Sequence, residues 1–166
     1  MKILLTALFL LSITVNSYAQ KTIDRDSFSV KYPDQWAIDT KDEDYDADAL
    51  FSIDAPDGEN MIMFIIFSMA IDTAELMSEQ VKAFTAELIK KPEITHFDTW
   101  GKYKGSGTIL KGKLMGVFKG FVRIFVYGDE HKTMIVVEQC YDKAYETLKK
   151  DYDLMSSSFQ FKGSKK

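Results

Sequence analysis

The sequence predicts an α+β fold: a three-layer α/β/α sandwich around a central, mainly antiparallel sheet of about six to eight strands. Three observations carry this expectation. Strand signals come in two blocks, each followed by one helical stretch, so the order is strands, helix, strands, helix. Short turns rich in Gly, Pro and Asp join successive strand segments, and connections that short pair strands antiparallel. Finally, "MIMFIIF", "FVRIFVY" and "MIVV" are nearly continuous apolar runs. Runs of that kind belong to strands covered on both faces, and a helix on each side of the sheet supplies the cover. A two-layer arrangement is the alternative.

The elements follow in chain order. In "FSVKYPDQW" (28–36), Phe28, Val30 and Tyr32 alternate with Ser29 and Lys31, as a half-buried strand requires. Pro33-Asp34 interrupts the run before Trp36 and Ile38 resume it, turning the chain so that Trp36 can seal the sheet edge. "ALFSIDA" (49–55) and "MIMFIIFSMA" (61–70) flank the turn "PDGEN" and form a hairpin. The period then changes: Met77, Val81, Phe84 and Leu88 recur at helical spacing, Asp72 or Thr73 caps the start, and Pro92 stops the run after Lys91. Next come "EITHFDTWGKY", "GSGTILKGKL", "VFKGFVRIFVY" and "KTMIVVEQCY", with "YGDEHK" as the turn between the last two. Asp142 then caps a terminal helix in which Ala144, Leu148, Tyr152, Met155 and Phe159 line one face.

The first residues, "MKILLTALFLLSITVNSYAQ", have the form of a secretory leader. Lys2 gives a positive start, an apolar stretch runs from Ile3 to Val15, and Ser17-Tyr18-Ala19 places small residues before a cut between Ala19 and Gln20. The apolar stretch is shorter than the roughly 20 residues that span a bilayer, and so is "MIMFIIFSMAI". Residues 20–166 are therefore read as one exported domain, periplasmic or secreted, without a transmembrane segment. The whole chain of 166 residues has a net charge of −4. An acidic balance of that size gives no bulk attraction to nucleic acid or to an anionic membrane. Cys140 is the one cysteine, so no intrachain disulfide forms, and its place in "MIVVEQCY" suits a buried, inert thiol.

The opening strand with Tyr32-Pro33 and Trp36, the acidic loop after it, the helix following "AIDTAE", and the closing stretch "KTMIVVEQCYDKAYETLKKDYDLMSSSFQF" together resemble the PsbP-like group. The resemblance covers about Ser27 to Phe161 and rests on packing signatures. It implies the fold already inferred and a non-enzymatic module that binds other proteins. Members in photosystems bind a membrane complex on its lumenal side and help retain its ions, a nuclear protein of the same fold binds a small GTPase, mycobacterial relatives are exported, and some cytoplasmic bacterial ones chaperone secreted effectors.

Motifs for chemistry are sparse. "GTILKGKL" (107–114) begins like a phosphate-binding loop, but Leu114 stands where Ser or Thr would hold magnesium and no helix follows. Asp44, Asp46 and Asp48 have the alternate spacing of a calcium loop's first ligands, yet Ala49 replaces its Gly and Ala55 its bidentate Glu. The reading is a solvated acidic loop and no cofactor, with an irregular calcium site on those three carboxylates as the alternative. His96 and His131 fall in different segments, without a metal-ligand neighbour at the usual spacing. No G-x-S-x-G elbow occurs, and the chain is read as not an enzyme.

Charge distribution is more informative. Asp39 to Glu59 holds nine acids and one lysine, whereas Lys102 to Arg123 holds Lys102, Lys104, Lys111, Lys113, Lys119 and Arg123 and no acid. Such polarity orients a molecule against a charged partner. The expected function is a non-enzymatic, exported module that binds a protein or envelope component through those six basic residues. The alternative is a carrier of a small apolar ligand in a sheet–helix cleft.

Overall fold

A computed structural model describes residues 19–162 of the chain. The leader reading, on residues 1–18, lies outside the described residues, as do residues 163–166. Among the described residues ten strands and two helices occur in the order β1 (Gln20–Asp24), β2 (Phe28–Pro33), β3 (Ala37–Ile38), β4 (Leu50–Asp54), β5 (Met61–Phe67), α1 (Thr73–Glu87), β6 (Glu93–Trp100), β7 (Tyr103–Leu114), β8 (Phe118–Gly128), β9 (Thr133–Tyr141), α2 (Asp142–Ser158) and β10 (Gln160–Phe161). Seven strands form the central sheet in the order β3-β4-β5-β9-β8-β7-β6, with every pairing antiparallel. Three more, β1-β2-β10, form a small separate sheet.

Strand alternation divides the core into two layers. On β8, Val122, Ile124 and Val126 face α1, where Met77 and Ile89 join them with Leu110 and Leu114 of β7. Phe121 and Phe125 point the other way, toward α2 and the small sheet. Both faces of β8 and β9 are thus buried, as their unbroken apolar runs require. The larger layer is aromatic. Phe28, Phe51 and Phe64 stack in succession, and the rings of Phe28, Phe64, Trp100 and Tyr103 all meet Phe159.

Local chemistry explains the helix ends. Asp72 is the cap of α1, its Oδ1 accepting from the backbone N–H of Ala74 and Glu75. At α2 the expectation is corrected: Asp142 is the first helical residue, and the preceding Tyr141 takes the extended cap position without a side-chain bond. The carboxylate of Asp142 still complements the positive end of the helix dipole.

Trp36 also takes a different place from the one expected. It does not seal an edge but lies fully buried beneath α2, where its ring meets Tyr152 edge-on and its Nε1–H donates to Asp151 Oδ2 at 2.8 Å. The proline turn serves this placement, since the Trp36 N–H closes onto the Pro33 carbonyl at 3.1 Å.

Candidate functional site

The six basic residues of the 102–123 segment do not share one surface. Lys102 sits in the tight turn between β6 and β7, its Nζ 5.6 Å from the centre of the Tyr103 ring. The preceding Gly101 has φ +56°, and its Cα lies so close to the Ser156 carbonyl that a side chain would collide with it. Lys104 follows at the same end of β7. Lys111 is seven residues further along the strand, a separation of about 23 Å at some 3.3 Å per residue.

Arg123 is engaged inside the fold. Its Nη1–H donates to Glu138 Oε2 at 2.7 Å across the β8–β9 ladder, and Trp100 Nε1–H donates to Glu138 Oε1 at 2.7 Å. The Phe97 ring lies 4.8 Å from the guanidinium carbon. Burial raises the Glu138 carboxyl above its ordinary range, with the Arg123 charge and the two hydrogen bonds pulling against it.

Lys111, Lys113 and Lys119 do come together. The pairs Lys111↔Phe121 and Lys113↔Lys119 place them on adjacent strands at one end of the sheet, on the α2 side. Two further lysines that the sequence reading did not single out join them. Ile89 bridges to Leu114, which brings Lys90 and Lys91, just past the end of α1, against the same end. All five lysines line one open groove of about 560 Å³, shared with Glu93 and Asp142. Among the described residues none of the five forms an ion pair.

The β7–β8 turn projects beside this groove. Met115 and Gly116 both have positive φ, at +51° and +75°, and Val117 N–H closes onto the Leu114 carbonyl at 3.1 Å. A left-handed backbone at methionine costs about 1 kcal/mol. The turn is anchored nonetheless: Met115 N–H donates to the Leu88 carbonyl at 2.7 Å, and Leu114 is fully buried. Beyond that anchor Met115, Val117 and Phe118 stand 71%, 66% and 54% exposed. Phe118 rests edge-on against Tyr141, and on that side lie Asp57 and Glu59 of the β4–β5 turn.

The other candidates are placed as follows. Asp44, Asp46 and Asp48 lie in the loop before β4, where the loop's own backbone uses its carboxylates: Asp42 Oδ1 accepts from Asp44 N–H and Asp46 Oδ1 from Asp48 N–H. Asp48 also faces Arg25 at 3.7 Å. No group of three His, Cys, Asp or Glu side chains among the described residues has a metal-holding arrangement. Cys140 is buried and free, and burial pushes its thiol up to about 11. His131 shares an open groove of about 690 Å³ with Ser27 and Ser68; its backbone N–H donates to Asp129 Oδ1. His96 Nδ1 is 3.2 Å from Thr108 Oγ1.

A sheet–helix cleft of about 670 Å³ lies between β6–β8 and α2, and it is open and charged. Phe97, Ile109 and Phe121 give it an apolar floor, but Lys111, Arg123, Glu146 and Asp153 also face it. An apolar ligand there would strip water from charged groups, which is costly. Trp36, Phe28, Phe64, Phe125 and Phe159 are fully buried in the solid core.

No protein-family model matches the chain, and no curated protein matches it by sequence. Solved structures do. Cyanobacterial PsbP from Synechocystis aligns over 90% of this chain and 96% of its own, with 13% identity and a TM-score of 0.52. A protein from Bacteroides thetaiotaomicron aligns over 86% of this chain with 13% identity and a TM-score of 0.56, and this chain spans 48% of its length. LpqN of Mycobacterium tuberculosis, described as involved in cell envelope biogenesis, aligns with 12% identity over 90% of this chain and 88% of its own, at a TM-score of 0.48. Together with the seven-stranded antiparallel sheet and its helices, the Synechocystis and Bacteroides alignments show that the chain has the PsbP-like fold. No helix among the described residues is long and apolar enough to cross a membrane.

Proposed function

We propose that this PsbP-like chain is an exported, non-enzymatic docking module of the cell envelope, and that it holds an anionic envelope component at the lysine-bearing end of its sheet. The mature form in this reading is residues 20–166, released by a cut between Ala19 and Gln20, and its site is periplasmic or extracellular. One observation carries the proposal. Lys90, Lys91, Lys111, Lys113 and Lys119 converge on a single groove without an ion-pair partner among the described residues, on a chain whose net charge is −4. Clustered like charges repel one another, so such a cluster costs stability that an anionic partner recovers. Lys102, Lys104 and Arg123 contribute less in this reading, the first two by distance and the third because Glu138 engages it.

Sedimentation with isolated envelope fractions tests the proposal. The wild-type chain should co-sediment at low salt and be released as salt rises, since exposed charges are screened beyond about 8 Å at physiological ionic strength. The double variant Lys111→Glu/Lys113→Glu should bind at least about 25-fold more weakly, because each lysine near an anionic surface contributes about 1 kcal/mol. Equal binding by both proteins would refute the reading.

A further inference from the structure

The hairpin tip gives the lysine end a second character. Met115, Val117 and Phe118 form a contiguous apolar projection, more than half exposed at each residue, on a turn pinned to the end of α1. Left-handed turn positions favour Gly, Asn or Asp. Met115 is held in that region instead, with its side chain in solvent. Nothing in the fold requires methionine there: the side chain packs on no core layer, and its backbone prefers another residue. An apolar group at a strained, exposed position points to a contact outside the chain.

From this geometry we infer that the Met115–Phe118 tip wedges into the interface of an anionic lipid bilayer while Lys90, Lys91, Lys111, Lys113 and Lys119 engage the headgroups. The inference rests on the docking reading above and names the component docked. Apolar residues at a polar surface combined with a lysine cluster are what binding at an anionic bilayer interface uses. Lysine stems extend their apolar carbons along the interface and leave the ammonium in water. Protein interfaces favour Arg and are depleted in Lys, whereas every cation lining this groove is lysine. On the Tyr141 side of Phe118, Asp57, Glu59 and Asp142 outnumber Lys119 and Lys143, so the molecule tilts its more strongly basic side toward the membrane.

The test uses the full mature chain and two kinds of vesicle, pure phosphatidylcholine and phosphatidylcholine with roughly one quarter phosphatidylglycerol. Wild-type protein should bind the second and leave the first in solution. Met115→Asn/Val117→Ser, which keeps all five lysines, should lose about 50-fold, two side chains' worth of partial apolar burial. Asn suits the left-handed backbone, so this variant should melt no lower than wild type, which separates lost binding from lost folding. Phe118→Trp should show an emission shift to shorter wavelength with phosphatidylglycerol vesicles and quenching by brominated acyl chains.

Absence of vesicle binding, or an unshifted Phe118→Trp spectrum, would overturn the inference. If envelope association then remained sensitive to Lys111→Glu/Lys113→Glu and disappeared after protease treatment of the envelopes, the docking reading would stand with an acidic protein as partner. Sedimentation that grows with protein concentration in the absence of vesicles would assign the tip to a second copy of the chain, equally overturning the bilayer. Loss of both vesicle and envelope binding would remove both readings.

Discussion

Replacing Arg123 with methionine isolates the buried ion pair beneath α2. The guanidinium and Glu138 lie 2.7 Å apart, with their side chains 26% and 3% exposed. At an effective dielectric of about 20 the gross attraction at that separation is about 6 kcal/mol, most of it offset by the cost of drying both charges. Methionine retains the apolar stem over Phe97 but leaves the Glu138 carboxylate with only the Trp100 indole as donor. Removing one partner of a buried pair costs about 3–5 kcal/mol, and Arg123→Met should lose that much at pH about 8. Adding Glu138→Gln removes the orphaned charge, and the double variant should return to within about 2 kcal/mol of wild type.

The pH dependence has a defined sign. Burial already raises the Glu138 carboxyl above 4.5, and loss of the Arg123 charge raises it further. Between its unfolded value and that higher folded value, the folded state binds more protons than the unfolded state. Stability therefore falls as pH rises through this window and recovers as pH is lowered. Urea unfolding followed by tryptophan fluorescence should show Arg123→Met well below the double variant near pH 8 and the gap narrowed near pH about 5. A single variant within about 1 kcal/mol of wild type near pH 8, or a gap unchanged between the two conditions, would refute the reasoning.

Two further outcomes are expected from the same layer. Trp36→Phe removes the donor to Asp151 Oδ2 when Asp151 Oδ1 already lacks a hydrogen-bond partner among the described residues. The loss should be about 2–4 kcal/mol and the melting temperature should fall by about 10 °C; a fall under about 2 °C in a calorimetric scan would contradict it. Cys140 should resist a disulfide-exchange reagent in the folded protein at mildly alkaline pH, since its thiol is buried and pushed up to about 11, and should label fully in urea. Rapid labelling without denaturant would show that β9 opens locally.

What the sequence made legible, and what it hid, divides along local and non-local lines. The change of period at Asp72 and the uninterrupted apolar run of β9 are local patterns, and they led to α1, its start and the two-sided burial of the central sheet; the helix itself ends at Glu87, four residues before the Lys91 at which the Pro92 stop placed it. Of the small sheet only β2 left such a trace. β1 is mostly exposed and β10 is two residues long, and β10 exists because Phe161 meets Phe28 from the far end of the chain. Arg123 looked like one more surface cation because its partner is fixed by the β8–β9 register. Lys90 and Lys91 escaped notice because only the Ile89–Leu114 bridge brings them to the hairpin. Phe118 opens an apolar run and reads as core, but it stands just beyond the point where the sheet is covered.

The convergence of rings on Phe159 has a consequence for how the chain matures. A polypeptide emerging N-terminus first, from a ribosome or through a pore, can assemble the β4–β5 hairpin early, since only a short turn separates the partners. The clasp that β10 makes with β2, and the insertion of Phe159 among Phe28, Phe64 and Trp100, must wait for the final segment. Synthesis from the N-terminus therefore leaves the aromatic layer open until the end and sets its closure as the last event.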